Sequence, residues 1–271
     1  MKSLSKGLFL MMCLVLSIAL LTGCNEEKKA AVALYDSECE RINTEIADLN
    51  AVIAECESLI EVAEEAYDPA TLTALETKTT DAKACIEELP KCPSSTEEII
   101  ALVSDTLENV SYIEVIDLLT ATKQGYEDSI KILKQVTNPS EAFVISCLKE
   151  VEGIVAYDAA TEDNDPNGQL GKQGGYTSAV YFQYDKVNQG ETYGSTVIEK
   201  GTDCGGQIEV YVTKEDAEKR DTYLAAFDGG ILASGSHTVI GTMVVRTSNL
   251  LKASEQKELE AALISKFIEL K

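Results

Sequence analysis

One repeating seam constrains this chain more than any other feature. Val32, Tyr35, Cys39, Ile42, Ile46, Leu49, Ile53, Cys56, Ile60 and Ala63 follow one another at alternating spacings of three and four residues. A heptad pattern held for that length fits a helix packed along other helices. Glu, Asp, Asn and Thr fill most intervening positions, so the opposite faces are wet. Asp68-Pro69 then supplies an N-cap followed by proline at the first helical position, and a new helix must run back. Leu72, Leu75, Thr79, Ala82, Ile86 and Leu89 continue the seam until Pro90 and Pro93 break it. Ser95 with Glu98 forms a capping box for a third stretch carrying Ile99, Val103, Leu107 and Val110. Ile116, Leu119, Tyr126, Ile130 and Leu133 extend it as one bent helix or two shorter ones. The expectation is an antiparallel helical, coiled-coil-like bundle over residues 24–137. Periodicity alone does not separate a stalk from a self-contained bundle.

The texture changes at Asn138-Pro139-Ser140-Glu141, a capping sequence that opens a helix with Phe143, Cys147 and Leu148. Beyond it come short β-rich runs, "GIVAY", "SAVYFQY", "QIEVYV" and "TVIGTMVV", separated by glycine-rich loops. A helix from Lys214 to Phe227, capped by Thr213 with Asp216 and ended by Gly229 and Gly230, interrupts them. Another closes the chain from about Ser254, with Leu259, Leu263 and Phe267 on one face. Residues 138–271 therefore read as a small domain with an antiparallel-rich, four-stranded sheet and helices on one side. The fold class is α+β, a helical bundle followed by that domain.

The N-terminus sets location. Lys2 and Lys6 precede the apolar stretch Leu8 to Leu21, too short and wrongly flanked for a spanning helix, so residues 1–23 read as an export signal. "LTGC" at residues 21 to 24 then resembles the lipobox of bacterial lipoproteins, in which the cysteine is lipidated and becomes the first residue after cleavage. The resemblance implies lipidation of Cys24, a membrane partner reached through the lipid anchor, and the extracytoplasmic face of the cell membrane. Charge cannot supply the attachment. With 23 basic against 46 acidic residues and a net charge of -23, the chain is ill suited to anionic lipid and excludes nucleic-acid binding through a basic face.

"TEDNDPNGQLGKQGGYTSAVYF", "GQIEVYVTKEDAEKRDTYLAAFDG" and "SHTVIGTMVVRTS" resemble the C-terminal domain of a group of Gram-positive surface lipoproteins without an assigned activity. The likeness covers residues 140 to 271. It implies an exported, tethered protein with a shared domain, and it transfers no catalytic residue.

Candidate chemistry is thin. Beyond Cys13 in the signal and Cys24, six cysteines remain, and export makes a disulfide framework plausible. The Asp68-Pro69 turn would bring Cys56 beside Cys85. Cys39 with Cys92 requires Pro90 to redirect the chain, because straight helices cannot match both registers. Cys147 and Cys204 pair by elimination. His237 is the one histidine; Ser236 beside it would point to the opposite face of a strand, Ser234 lies nearby, and no nucleophile elbow surrounds a serine. "EDAEKR" reads as a solvated helix face. In "EDNDPNG", Asp163, Asp165 and Asn167 alternate ahead of Gly168, as at the start of a calcium loop. The twelfth position from Asp163 is Gly174 where that loop needs glutamate, so an Asx turn is favoured and bound calcium is the alternative. No other cofactor is implied. The expected function is a non-enzymatic surface binding or scaffold module for a cell-wall component or surface protein. The alternative is an accessory solute-binding lipoprotein for a membrane transporter.

Overall fold

The computed structural model describes residues 24–230 and 235–271. Residues 1–23, the expected signal with Cys13, the side chain of Cys24, and Ser234 lie outside the described residues. Two compact units form: the stretch ending at Glu64 with Ala70–Tyr126, and Glu65–Pro69 with Glu127–Lys271. The expected boundary at residue 138 therefore moves into a helix. The reason is apolar: Val136 is fully buried in the second unit's core, and Leu133 packs against it.

In the first unit α1 runs Cys24–Val62 and α2 runs Ala70–Ala84. Asn25 to Lys29 lie within α1. Ile42, Leu49, Ile53 and Cys56 of the seam are buried. Ala63, at φ 47°, ends the helix in left-handed backbone. Glu57 pairs with Lys83, and the Tyr35 hydroxyl donates to the Pro90 carbonyl at 2.7 Å. Residue numbers fall along one leg as they rise along the other, so these legs are antiparallel. Helix α2 stops at Ala84, six residues before Pro90, and buries Leu75, Thr79 and Ala82.

The third leg is broken into α3, Thr96–Asp105, and α4, Ile113–Gln135. Ser95 caps α3 by accepting from the Glu98 amide at 3.3 Å, as its sequence requires. The break is held by α1. Arg41 donates to the carbonyls of Leu107 and Val110, each at 3.0 Å, while Glu45 accepts from the Tyr112 amide at 2.8 Å. Arg41 and Glu45 also pair at 2.7 Å. One ion pair thus satisfies the backbone at the end of one helix and the start of the next.

In the second unit α5, Glu141–Leu148, leads into β1, Ile154–Ala159, and β2, Ser178–Tyr184. Then follow α6, Val197–Lys200, β3, Gly205–Val210, and α7, Lys214–Ala225. β4, His237–Ile240, β5, Met243–Thr247, and α8, Ala253–Ile268, complete it. The sheet order is β1-β2-β3-β5-β4, every pair antiparallel. "TVIGTMVV" is two strands, because Gly241 at φ 56° turns the chain. A Cβ there would meet the Val136 carbonyl oxygen at 2.3 Å, so the turn tolerates only glycine.

Helices cover both faces of the sheet, not one. On one face α5 and α8 bring Val144, Leu148, Leu259, Leu263 and Phe267 onto Val180, Phe182, Ile208, Val210, Met243 and Val245. On the other, α6 and α7 bring Ile198, Ala217 and Leu224 onto Ala179, Tyr181 and Val244. Gln207 and Glu209, polar residues of β3, are 0 % exposed beneath this second layer.

Candidate functional site

Two places in the second unit gather polar chemistry. The first is built from the "EDNDPNG" loop between β1 and β2. Asp165 is its hub: its carboxylate accepts from the amides of Asn167 at 3.1 Å, Gln169 at 2.6 Å and Leu170 at 2.9 Å. The Tyr176 hydroxyl donates to the same group. Burial opposes ionisation of Asp165, but the Tyr176 hydroxyl and the three amides outweigh it and hold the carboxyl below its ordinary value. Asn164 accepts from the Thr161 amide at 2.7 Å, and Asn167 donates to the Tyr181 hydroxyl at 3.3 Å. The sequence folds this way because Asx side chains bond to nearby backbone, here two to five residues on for Asp165 and three back for Asn164. Asp165 is thereby occupied by protein donors, and Asp163 is exposed. Among the described residues no group of three or more His, Cys, Asp or Glu stands ready for a metal. The loop is an Asx-type turn, the reading the missing glutamate favoured.

Facing this loop is the connection from β2 to β3. Glu199 accepts through Oε2 from the amides of Ser195 at 2.7 Å and Thr196 at 3.1 Å, while Thr196 caps α6 by accepting from the Glu199 amide at 3.1 Å. That reciprocal pair is a complete capping box. The amide bonds to Ser195 and Thr196 hold the Glu199 carboxyl below its ordinary value. Gly194, at φ 122°, lets the turn lie on α6, where a Cβ would come within 2.8 Å of the Glu199 backbone. The two loops border an open cleft of about 690 Å³ lined by Asn164, Pro166, Tyr193, Gly194, Ser195 and Glu199. Tyr193 stands 94 % exposed.

The second place lies under α7. Glu209 accepts from Arg220 Nε and Nη2, each at 2.9 Å, from Arg246 Nη1 at 2.9 Å and from the Tyr211 hydroxyl at 2.8 Å. Burial, and then the charge and hydrogen bond of Glu209, push the Tyr211 hydroxyl far above its ordinary value. Arg220 belongs to "EDAEKR", so one residue of that supposed solvated face is an internal counter-charge, with only 17 % of its side chain exposed. Register pairs Gln207 with Arg246 and Arg246 with His237, placing the three in one row across β3, β5 and β4. Gln207 Nε2, Arg246 Nε and His237 Nε2 are buried without a hydrogen-bonded acceptor.

His237 is held by acids. Its Nδ1 lies 2.6 Å from Asp221 Oδ1, and Nε2 lies 3.4 Å from Asp228 Oδ2 without the alignment of a hydrogen bond. Ser236 turns away, its hydroxyl 2.8 Å from that of Thr247. Cys204 contacts the carbonyls of Gly201 at 3.2 Å and Phe182 at 3.4 Å. Burial pushes its thiol up to about 11, so it is no thiolate nucleophile. These groups brace strands and helix; they do not assemble a nucleophile with a base.

The expected disulfides are not formed among the described residues. Cys147 contacts the Lys266 carbonyl at 3.5 Å, between α5 and α8, whereas Cys204 bonds within the β2 and α6 region. Each thiol has its own acceptors, which corrects the pairing by elimination. Cys56 is buried and Cys85 contacts the Ala82 carbonyl at 3.0 Å. Cys39 and Cys92 both act on Tyr35: the Cys39 hydrogen bond, then burial, then both thiols' charges raise its hydroxyl to about 12. The chain leaves helical backbone after Ala84, before Pro90, and the Pro90 carbonyl accepts from the Tyr35 hydroxyl of α1 at 2.7 Å.

Sequence reasoning missed Glu209, Arg220, Arg246, Tyr193 and Glu199. An acid inside the apolar run "QIEVYV" and an arginine one helical face away were the available signal. Comparison with family models, with curated proteins and with solved structures gave no match.

Proposed function

We propose that the chain is a lipid-anchored extracytoplasmic module whose helical bundle is its membrane-proximal part and whose α+β unit binds a ligand at the cell surface without transforming it. What supports this reading is the basic, apolar leader that ends in Leu21-Thr22-Gly23-Cys24, together with the helical backbone at Cys24, the residue that would bear the lipid. A helix of 39 residues follows without a linker, about 58 Å at 1.5 Å per residue. An anchor joined to a helix transmits position, whereas a flexible tether would not. No helix among the described residues is long and apolar enough to cross a membrane.

Replacing Cys24 with Ser tests the anchor. The variant should appear in the soluble fraction or as an uncleaved precursor, and unchanged lipid modification by mass would end this reading. Affinity capture by the mature chain, against wall fragments and surface proteins, tests the binding role. Capture of a transporter instead would support the accessory solute-binding alternative.

A further inference from the structure

We propose that the cleft between the β1–β2 loop and the β2–β3 connection binds a saccharide, an uncharged hexose or hexosamine unit of a polysaccharide. The inference deepens the surface-module reading and rests on it for its setting, while its chemistry stands on the cleft. Four observations converge. A tyrosine ring exposed to 94 % leaves a large apolar face in water, and in this chain it sits at the edge of a cleft rather than on a bare helix. Such a ring, stiff at two dihedrals and with a hydroxyl at its tip, suits a flat ligand that is apolar on one side and polar at its margin. A pyranose with equatorial hydroxyls is that ligand: its axial C–H bonds form an apolar face and its hydroxyls ring the edge.

The cleft's polar atoms match a hydroxyl rim. Glu199 uses Oε2 for the backbone amides and keeps Oε1 as an acceptor. Asn164 uses its carbonyl oxygen for the Thr161 amide and keeps its NH₂ as a donor. Ser195 offers a hydroxyl that both donates and accepts. Acceptor, donor and dual group together satisfy sugar hydroxyls, which themselves donate and accept.

Preorganisation is the third point. Asp165 pins one wall through three amides and a tyrosine hydroxyl, and the Thr196–Glu199 capping box pins the other. Walls already ordered avoid the entropy of ordering on binding, which matters for a weakly hydrophobic ligand. Volume is the fourth: about 690 Å³ lies within the usual range for small-ligand clefts. The Glu199 carboxylate argues against phosphate or uronate groups.

The test is calorimetric titration of the full chain in detergent micelles with linear glucose oligomers, linear N-acetylglucosamine oligomers, and choline chloride. One neutral oligomer should bind saturably. Tyr193→Ala should weaken it by about tenfold or more, and Tyr193→Phe should stay within about threefold. Tyr223→Ala, an equally simple loss of an exposed ring on α7, should leave binding unchanged. Binding by neither oligomer overturns the proposal, as does wild-type affinity in Tyr193→Ala, or choline binding in place of the sugars, which would make the ring a cation site. None of these titrations depends on the lipid, so failure here leaves the Cys24 result standing, and release of the Cys24→Ser chain leaves the titration standing.

Discussion

Replacing Glu209 with Gln would remove one negative charge from the interior while keeping the side chain's shape. In the folded protein that carboxylate is 0 % exposed and accepts four hydrogen bonds, three of them from Arg220 and Arg246. An amide oxygen in the Oε1 place can still accept from both guanidinium groups, but the NH₂ in the Oε2 place then faces Arg220 Nε as donor against donor. The arginine side chains, 17 % and 7 % exposed, would be left as two like charges with no counter-charge between them. Removing one partner of a buried ion network costs about 3–5 kcal/mol, far more than a surface pair would. For a unit of this size the melting transition should fall by about 6–20 °C. Urea unfolding, with amide exchange at Ile208 and Val244 assigning the transition to the sheet, would measure it. Arg220→Met should lose less in the Glu209→Gln background than alone, with a coupling of about 0.5–3 kcal/mol. A loss below about 1 kcal/mol for Glu209→Gln, with no coupling, would refute the claim that this network holds α7 on the sheet.

Further outcomes follow from the same geometry. Asp165→Asn should destabilise the β1–β2 loop and flatten the acid limb of stability: with its folded value lowered from 3.8, Asp165 stabilises fully above that pH and loses the contribution as pH falls through the folded value. Melting curves of both chains from neutral pH to below about pH 4 check this, and parallel acid limbs would contradict it. Calcium at millimolar concentration should leave the melting temperature of the wild-type chain unchanged, because Asp165 is occupied by amides; a rise abolished by Asp163→Ala with Asp165→Ala would restore the ion site. In the reduced protein, alkylation at pH 8 should modify exposed Cys92 first and Cys204 last, since a thiol at about 11 is only about one part in a thousand ionised there. Non-reducing peptide mapping of exported protein will show whether Cys39 joins Cys92 around Tyr35 and Cys56 joins Cys85; free thiols at all four would make them small apolar seam residues.

The sequence by itself determined the local elements. The seam from Val32 to Ile60, the Ser95 cap, the Thr213 cap and the apolar faces of α4 and α8 all stand where propensity and period put them, because each depends on residues a few positions apart. β2 runs the length of "SAVYFQY" for the same reason. Where local signals competed, the outcome needed the fold: Ser140 rather than Asn138 caps α5, and Asn138 takes φ 45° with its amide bonded to Thr242. Which faces were buried was a tertiary decision throughout. Glu209 and Gln207 look like water-facing residues until Arg220 and Arg246, distant in sequence, neutralise and bond them under α7. Nothing near Tyr193 in the sequence marks it as exposed; the turn at Gly194 places it in solvent, beside the same cleft as Pro166. Burial of a charge or exposure of a ring is set by what comes from elsewhere in the chain, and period and propensity carry no record of those partners.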